Sequence, residues 1–121
     1  MTVGYDFVDV SELEPRGPGG VVRMVRKAVG ARAFGFNYFD FPPNHTGHEH
    51  DERESGHEEV FFCVRGSGLL RIDGDEVELR EGRFIRIDPE STRVPISGPD
   101  GMVFVVIGAP LEGPYEPPSW G

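Results

Sequence analysis

The sequence predicts a small all-β protein, built as a sandwich or a barrel of short strands. With 17 Gly and 11 Pro among its 121 residues, the chain is interrupted too often for long helices. No segment keeps a 3.6-residue apolar period between recognisable helix caps. Short apolar or alternating segments recur instead, roughly every eight to twelve residues, between turn-forming residues, which is typical of sandwiches and barrels.

Seven segments are predicted as strands because they combine β-branched or aromatic residues with Gly, Pro or Asp at their ends: 21–28, 33–41, 59–64, 69–72, 76–79, 84–87 and 102–107. A hairpin joins the fourth segment to the fifth, since Asp73-Gly74 supplies the positive φ angles of a type I′ turn. Gly66-Ser67-Gly68 is interpreted as a tight turn after a strand.

The length fits one domain that spans residues 1–121. No run of 18 apolar residues occurs, and the N-terminus lacks a basic segment followed by a hydrophobic one, so we expect neither a membrane span nor a signal peptide. The net charge of -9 argues against binding nucleic acid, which needs a clustered basic surface. The single cysteine, Cys63, fits a reducing compartment and a small buried hydrophobe. We therefore predict a soluble cytoplasmic protein.

The predicted strand 59–64 is apolar on both faces beyond its first residue. Phe61 and Cys63 share one face with Glu59, while Val60 and Phe62 lie on the other. Such a strand must be covered on both sides. A barrel interior covers one side, and the N-terminal segment, a swapped strand or a second subunit covers the other. Because segment 102–107 has the same character, we predict a homodimer.

The stretch His48-Glu49-His50 carries the strongest functional signal. Side chains two residues apart in an extended segment project from the same face, so both imidazoles can point at one site. A carboxylate from a neighbouring strand, Glu59, would complete a set of ligands suited to Mn, Fe, Zn or Ni. The sequence therefore predicts a divalent-metal site formed by His48, His50 and Glu59.

The order of these residues resembles the first motif of the cupin superfamily, G-x5-H-x-H-x(3,4)-E-x6-G. Six residues, 60–65, separate Glu59 from Gly66, which selects Glu59 over Glu58 as the acidic member. Two positions depart from the motif: Pro42 stands at the leading Gly, and eight residues, 51–58, fill the gap between histidine and glutamate. We interpret the extra residues as a longer polar loop, which fixed strand ends tolerate at small entropic cost.

The resemblance covers residues 40–108 and implies a double-stranded β-helix, the jelly-roll barrel of cupins. On this basis the barrel core is expected over about 33–108, with N-terminal strands over 1–32 and an extended tail over 109–121. The tail is proline-rich. Its Tyr115 and Trp120 either pack on the nearest apolar surface or cap the mouth of a pocket.

The second cupin motif, G-x5-P-x-G-x2-H-x3-N, supplies a fourth metal ligand through its histidine. Aligning Gly82 with its first glycine places Arg93 at that histidine. An arginine stays protonated and offers only donors, so Arg93 cannot coordinate a cation. His57, two residues before Glu59, is a further candidate ligand, and its other interpretation is an exposed loop histidine.

Two functions remain open at this stage. In the first, His48, His50 and Glu59 hold a metal, Arg93 binds an anionic group of a small-molecule substrate, and Phe61 forms an apolar wall of the pocket. The protein would then be an oxygenase or an isomerase. In the second, Arg93 pairs with Glu59 and replaces the ion, and the protein is a non-catalytic ligand-binding or regulatory cupin. Whether the protein is an enzyme is left open.

Overall fold

A computed structural model describes residues 4–120, so residues 1–3 and 121 of the predicted domain lie outside the described residues. Two 3-10 helices, Val10–Glu12 and Pro18–Gly20, come first. The remaining elements follow in chain order: β1 (Val22–Arg23), α1 (Val25–Val29), β2 (Gly35–Phe41), β3 (His57–Ile72), β4 (Asp75–Arg80), β5 (Phe84–Ile87) and β6 (Arg93–Pro110). Among residues 4–120 there is no helix with the length and apolar character needed to cross a membrane.

The strands form an antiparallel jelly roll, as the resemblance implied. Their order is β1-β2-β6-β3-β4, and β5 pairs with β3. The two long strands β3 and β6 pair from His57 with Pro110 to Ile72 with Arg93, so each runs through both halves of the barrel. The predicted all-β class and double-stranded β-helix are confirmed.

The interpretation of Gly66-Ser67-Gly68 as a turn that ends a strand is wrong. These residues lie inside β3, with shifts of register between Cys63 and Arg65 and between Gly66 and Gly68. A Cβ atom on Gly68 would lie only 2.1 Å from the carbonyl oxygen of Ile96 on β6. The glycines therefore let two backbones approach closely where β3 bends from one half of the barrel to the other.

The predicted hairpin between β3 and β4 is confirmed. Ile72 pairs with Asp75, and the two turn residues Asp73 and Gly74 have φ angles of 50° and 90°, as a type I′ turn requires. The Asp73 carboxylate accepts a hydrogen bond of 2.9 Å from the backbone N–H of Thr92. That bond is the main cause that lowers the pKa of Asp73 below its ordinary value of 3.8.

The predicted strand over 21–28 is wrong for most of its length. The strand β1 has two residues, and α1 occupies Val25–Val29. The helix contains Arg26, Lys27 and Ala28, which favour helical backbone, and it ends at Gly30 in the left-handed conformation with φ 72°. The expectation of N-terminal strands over 1–32 is therefore replaced, within residues 4–32, by short helices and one short strand.

Aromatic side chains from β2, β3 and β6 fill the barrel. Phe39 stacks on Phe104 with ring centroids 5.0 Å apart, and Phe41 meets the same ring edge-on at 5.0 Å. Phe61 lies 5.9 Å from Phe104 on the other side. Cys63, also buried, packs in this core as the sequence predicted. The core therefore fills the end of the barrel beyond the polar residues of the candidate site.

The outer faces of β3, β5 and β6 carry exposed apolar side chains. Phe84 is 67% exposed, its ring lies 4.2 Å from that of Phe62, and Val64 and Ile107 are also exposed. The N-terminal segment covers a different part of the sheet. There, Val8, Val10 and Val25 line a cavity of about 310 Å³ with residues of β2 and β6.

Candidate functional site

Strand pairing brings His50 next to Arg93. The backbone N–H of His50 donates to the carbonyl of Arg93 (3.1 Å), and the N–H of Arg93 donates back to the carbonyl of His50 (2.9 Å). His50 lies in the loop between β2 and β3, whereas Arg93 begins β6. This pair of bonds fixes the polar loop to the end of the barrel.

Glu59 faces the inside of the barrel from β3. It pairs with Gly108 on one side and with Ile87 on the other, and the residues of the same parity, Phe61 and Cys63, are buried in the core. A Cβ atom on Gly108 would lie 3.1 Å from Cγ of Glu59. The glycine therefore leaves space on the inner face for this carboxylate.

Three potential metal ligands converge at this end of the barrel. Nε2 of His50 lies 3.4 Å from Oε2 of Glu52 and 3.8 Å from Oε1 of Glu59, and one ligand atom from each residue lies within 4.8 Å of the other two. The neighbouring Glu59 carboxylate raises the pKa of His50 above 6.5, although desolvation acts in the opposite direction. One imidazole nitrogen and two carboxylates form a donor set that suits a divalent transition metal.

Glu52 is the member of this cluster that the sequence reasoning missed. The sequence interpretation assigned residues 51–58 to a longer polar loop. Glu52 is two residues from His50, but the same spacing places His48 outside the cluster, so alternation alone does not identify the ligands.

His48 lies outside the cluster. Its side chain is exposed, and its ring lies parallel to that of His50, with centroids 5.7 Å apart and an interplanar angle of 13°. The carbonyl oxygen of His48 lies 3.2 Å from Nδ1 of His50 and can orient that ring. Among the described residues, the structure does not bring both histidines to one point, and metal binding by His48 stays a prediction.

Arg93 is fully buried, with 0% of its side chain exposed. Its Nη1 donates to Oε1 of Glu59 at 3.1 Å, and its Nη2 donates to the backbone carbonyl of Asp88 at 2.6 Å. Both ends of the guanidinium fork therefore have partners, and Nε is buried without one among residues 4–120. Arg93 holds Glu59 in place and compensates one of the two negative charges of the cluster.

His57 begins β3, and its side chain is largely covered, with 16% exposed. Its Nδ1 lies 3.6 Å from Oε1 of Glu52, and its ring lies 5.4 Å from that of Tyr115. His57 is therefore beside the cluster rather than in an exposed loop, and its contact with Glu52 can fix that carboxylate. Its role as a fourth ligand stays a prediction.

Phe61 and Asn37 lie one row deeper on the inner face, since each pairs with Val106 of β6. Phe61 is packed in the core, and its predicted role as a pocket wall is untested. The side-chain oxygen Oδ1 of Asn37 is buried and has no hydrogen-bond partner among the described residues. A buried acceptor without a partner is costly, so it marks a place where a bound group can donate.

Comparison with known proteins agrees with this architecture. The profile of the Cupin_2 family, described as a cupin domain, matches residues 37–107, which is more than half of the chain. The chain belongs to the cupin family. The match includes every residue of the polar cluster, so the candidate site lies within the cupin domain itself.

Solved cupin structures have the same fold at low sequence identity. A cupin protein from Bacteroides fragilis is 21% identical with a TM-score of 0.74, and the match covers 93% of this chain and 92% of that one. A protein from Thermotoga maritima described as a predicted oxalate decarboxylase is 18% identical with a TM-score of 0.72, covering 88% and 100%.

The cupin domain of an XRE family transcriptional regulator from Enterobacter cloacae is 16% identical with a TM-score of 0.59, covering 66% of this chain and 84% of that one. None of the curated proteins searched matches the chain. The two functional descriptions differ, a decarboxylase and a regulator, so the shared cupin fold does not choose a function.

Proposed function

We propose that this cupin binds a divalent transition metal through His50, Glu52 and Glu59, and that the metal receives a small anionic ligand inside the barrel. The convergence of these three side chains within 4.8 Å carries the proposal. Their nitrogen and oxygen donors suit Mn, Fe, Zn or Ni. A metal in such a site supplies a Lewis acid or a redox centre with open positions for a ligand.

The charges around the cluster are compatible with a cation. Two carboxylates carry two negative charges, and Arg93 compensates only one of them through its contact with Glu59. Arg93 donates a hydrogen bond to the Glu59 carboxylate and can orient it as a metal ligand. Its two terminal nitrogens already donate hydrogen bonds to Glu59 and Asp88. In this proposal Arg93 therefore holds Glu59 in place and does not bind a substrate through these two nitrogens.

The chemistry of the ligand follows from the two buried polar atoms that lack partners in the described residues. Nε of Arg93 offers a donor, and Oδ1 of Asn37 offers an acceptor. We infer a small molecule that carries a carboxylate for Arg93 and a hydroxyl or amine group for Asn37, and since both atoms are closed to solvent, a side chain must move before such a molecule reaches them. An oxygenase or isomerase reaction on such a molecule is the activity we propose to test first. The description of the Thermotoga relative adds oxalate as a probe.

The test is metal analysis of protein purified without an affinity tag and without chelators. We expect a stoichiometric transition metal, or its uptake when Mn²⁺, Fe²⁺, Zn²⁺ or Ni²⁺ is added under titration calorimetry. Protein that contains none of these metals and takes up none would overturn the proposal. Variant Glu52→Gln should bind less tightly, because it keeps the size of the side chain and removes the charge.

A second candidate function is favoured by one specific observation, the buried pair of Arg93 and Glu59 at 3.1 Å. In a non-catalytic ligand-binding or regulatory cupin this pair would replace the ion and close the site. Variant Arg93→His should then create metal affinity that the unmodified protein lacks. If the unmodified protein already binds metal, or if the variant gains no affinity, this second function is contradicted.

We also propose that the protein is a homodimer that uses the exposed apolar side chains around Phe62 and Phe84. Phe84 is 67% exposed and Phe62 is partly buried, and aromatic residues are enriched at the core of protein interfaces. A cytoplasmic location stays a prediction, which the single free and buried cysteine supports.

A further inference from the structure

The C-terminal segment 111–120 returns to the end of the barrel that carries the polar cluster. Directly after β6, the backbone N–H of Leu111 donates to the carbonyl of Gly56 at 3.3 Å, just before β3 begins. Four residues later, the ring of Tyr115 lies 5.4 Å from that of His57. His57 in turn contacts Glu52 of the cluster. The segment therefore reaches the candidate site through one aromatic side chain.

The position of Tyr115 is fixed by a glycine on the inner face of β2. Gly35 pairs with Gly108, which pairs with Glu59, so the three residues form one row across the barrel. A Cβ atom on Gly35 would lie 2.7 Å from the hydroxyl oxygen of Tyr115 and 3.0 Å from two of its ring carbons. Tyr115 therefore occupies the space that a side chain at residue 35 would fill.

This arrangement puts Tyr115 inside the barrel at the level of Glu59. Neighbouring strands lie about 4.8 Å apart, so Gly35 and Glu59, two strands apart, are separated by roughly 10 Å. Gly35 and Gly108 contribute no side chains to the space between them. The ring of Tyr115 therefore occupies the space at Gly35 in the same row as Glu59, with only the glycine Gly108 between these two row positions.

The hydroxyl of Tyr115 makes no hydrogen bond with any described residue, and the ring is only half-buried. This hydroxyl is not among the buried polar atoms that lack a partner, so it keeps contact with solvent at the edge of the barrel. Pro114, Pro117 and Pro118 stiffen the segment, so little conformational entropy is lost when it lies across the barrel. Both features suit a cover that opens and closes more than a permanent structural contact.

We propose that residues 111–120 form a strap over the ligand end of the barrel and that Tyr115 is the wall by which this strap encloses the site. Metal ions and small molecules enter and leave when the strap lifts Tyr115 away from Gly35 and His57. The part of this inference that concerns metal exchange depends on the proposed metal site. The closure itself is a property of the chain and is testable without any metal.

The first experiment measures the accessibility of His57 in the metal-free protein, by its rate of modification with diethyl pyrocarbonate, followed by mass spectrometry. Loss of the ring in Tyr115→Ala should raise this rate about two- to tenfold, the range that one aromatic contact is worth. The exposed His48 should keep its rate and serves as a reference in the same molecule. Trp120→Ala is the matched control. It removes a larger ring from the same segment, and Trp120 is 69% exposed.

The second experiment uses Gly35→Ala. The φ angle of Gly35 is not positive, so an alanine can adopt the same backbone conformation. The added methyl group meets Tyr115, so this substitution should open the strap in the unmodified protein. It should have little further effect in a Tyr115→Ala background, where the clash is gone. Such a non-additive pair identifies the contact itself, whereas general destabilisation would give additive effects.

The third experiment measures the rate at which bound Zn²⁺ is lost to a chelator. Tyr115→Ala and Gly35→Ala should release the ion faster than the unmodified protein and than Trp120→Ala. Equal His57 modification rates in all four proteins, or additive effects in the double variant, would overturn the strap. Failure of every protein to bind Zn²⁺ would contradict the proposed metal site, and the His57 rates would then decide the strap alone. If Tyr115→Ala leaves the rate of zinc loss unchanged, Tyr115 does not control metal exchange.

Discussion

Arg93 and Glu59 lie 34 residues apart in the sequence and meet inside the barrel, where Nη1 donates to Oε1 at 3.1 Å. A second Arg–Glu pair, Arg71 with Glu76, has the same separation of 3.1 Å on the surface of the β3–β4 hairpin. The two pairs have the same N–O distance and differ in burial. They therefore form a natural comparison of what an ion pair contributes in each environment.

Glu59→Gln should destabilise the protein far more than Glu76→Gln. The first substitution leaves the fully buried Arg93 without a compensating charge and should cost about 3 kcal/mol. The second removes an exposed pair worth less than about 1 kcal/mol. Urea denaturation of the metal-free protein measures both values. Similar losses for the two variants would mean that Arg93 is solvated in the native state.

Glu52→Gln and His48→Ala separate the site found in the structure from the site expected from the sequence. Loss of Glu52 should weaken Zn²⁺ or Mn²⁺ binding by more than the roughly 10- to 100-fold that removal of an outer-shell partner costs. Loss of the exposed His48 should change affinity little, because its ring lies beside His50 and outside the cluster. Calorimetric titration at constant pH is the measurement. If His48→Ala weakens metal binding more than Glu52→Gln does, His48 and His50 are the ligands, as expected from the sequence.

The stability of the hairpin should depend on pH through Asp73. Its pKa in the folded protein is lowered, chiefly by the hydrogen bond from the backbone of Thr92. The folded state therefore favours the ionised carboxylate. The stabilisation is fully present above the unfolded pKa near 3.8 and is lost as the pH falls through the lower folded pKa. Melting temperatures measured from pH 6 to about pH 2 should fall less in Asp73→Asn than in the unmodified protein. Parallel curves for the two proteins would contradict this assignment.

Cys63 should be unreactive in the native protein. Its side chain is completely buried, and burial raises the pKa of its thiol above the ordinary value of 9.0. Both conditions disfavour the thiolate that attacks aromatic disulfide reagents. We expect no reaction with such a reagent under native conditions and one thiol per chain in denaturant. Rapid labelling of the native protein would show that β3 opens locally.

The proposed homodimer is tested by light scattering of the unmodified protein and of Phe84→Asp over a range of concentrations. A charge at the centre of an apolar interface should weaken association by at least about 30-fold, corresponding to a hot-spot residue. Trp120→Asp is the matched control, because Trp120 is about as exposed as Phe84, at 69% against 67%, and lies outside the strands. A mass of one chain at all concentrations of the unmodified protein would dispose of the dimer.

Much of the architecture could be predicted from local signals. The strand 84–87 and the Asp73-Gly74 turn agree with the structure because short-range patterns and backbone angles determine them. The glycines at 66 and 68 were misinterpreted, since their purpose is the close approach of β6, a contact between residues far apart in the sequence. The helix at 25–29 was missed because five residues are too few to show a helical period.

The candidate site could be predicted only in part. The motif identified His50 and Glu59, and the alternative pairing of Arg93 with Glu59 was open from the sequence. Glu52 was missed because the path of the loop 42–56 depends on its bonds to the far strand β6, such as the bridge between His50 and Arg93. Tyr115 was one of two tail aromatics, and its contacts with Gly35 and His57, residues far away in the sequence, distinguish it from the exposed Trp120.

The long strands β3 and β6 have a consequence for how the protein melts. Each contributes pairs to both halves of the barrel, so neither half can come apart while the other keeps its full set of strands. The chain should therefore behave as a single cooperative unit. An ion or small molecule captured at the polar end would then protect the bend at residues 66–68, where β3 passes from one half of the barrel to the other, by mass action, although no residue of the cluster belongs to that bend.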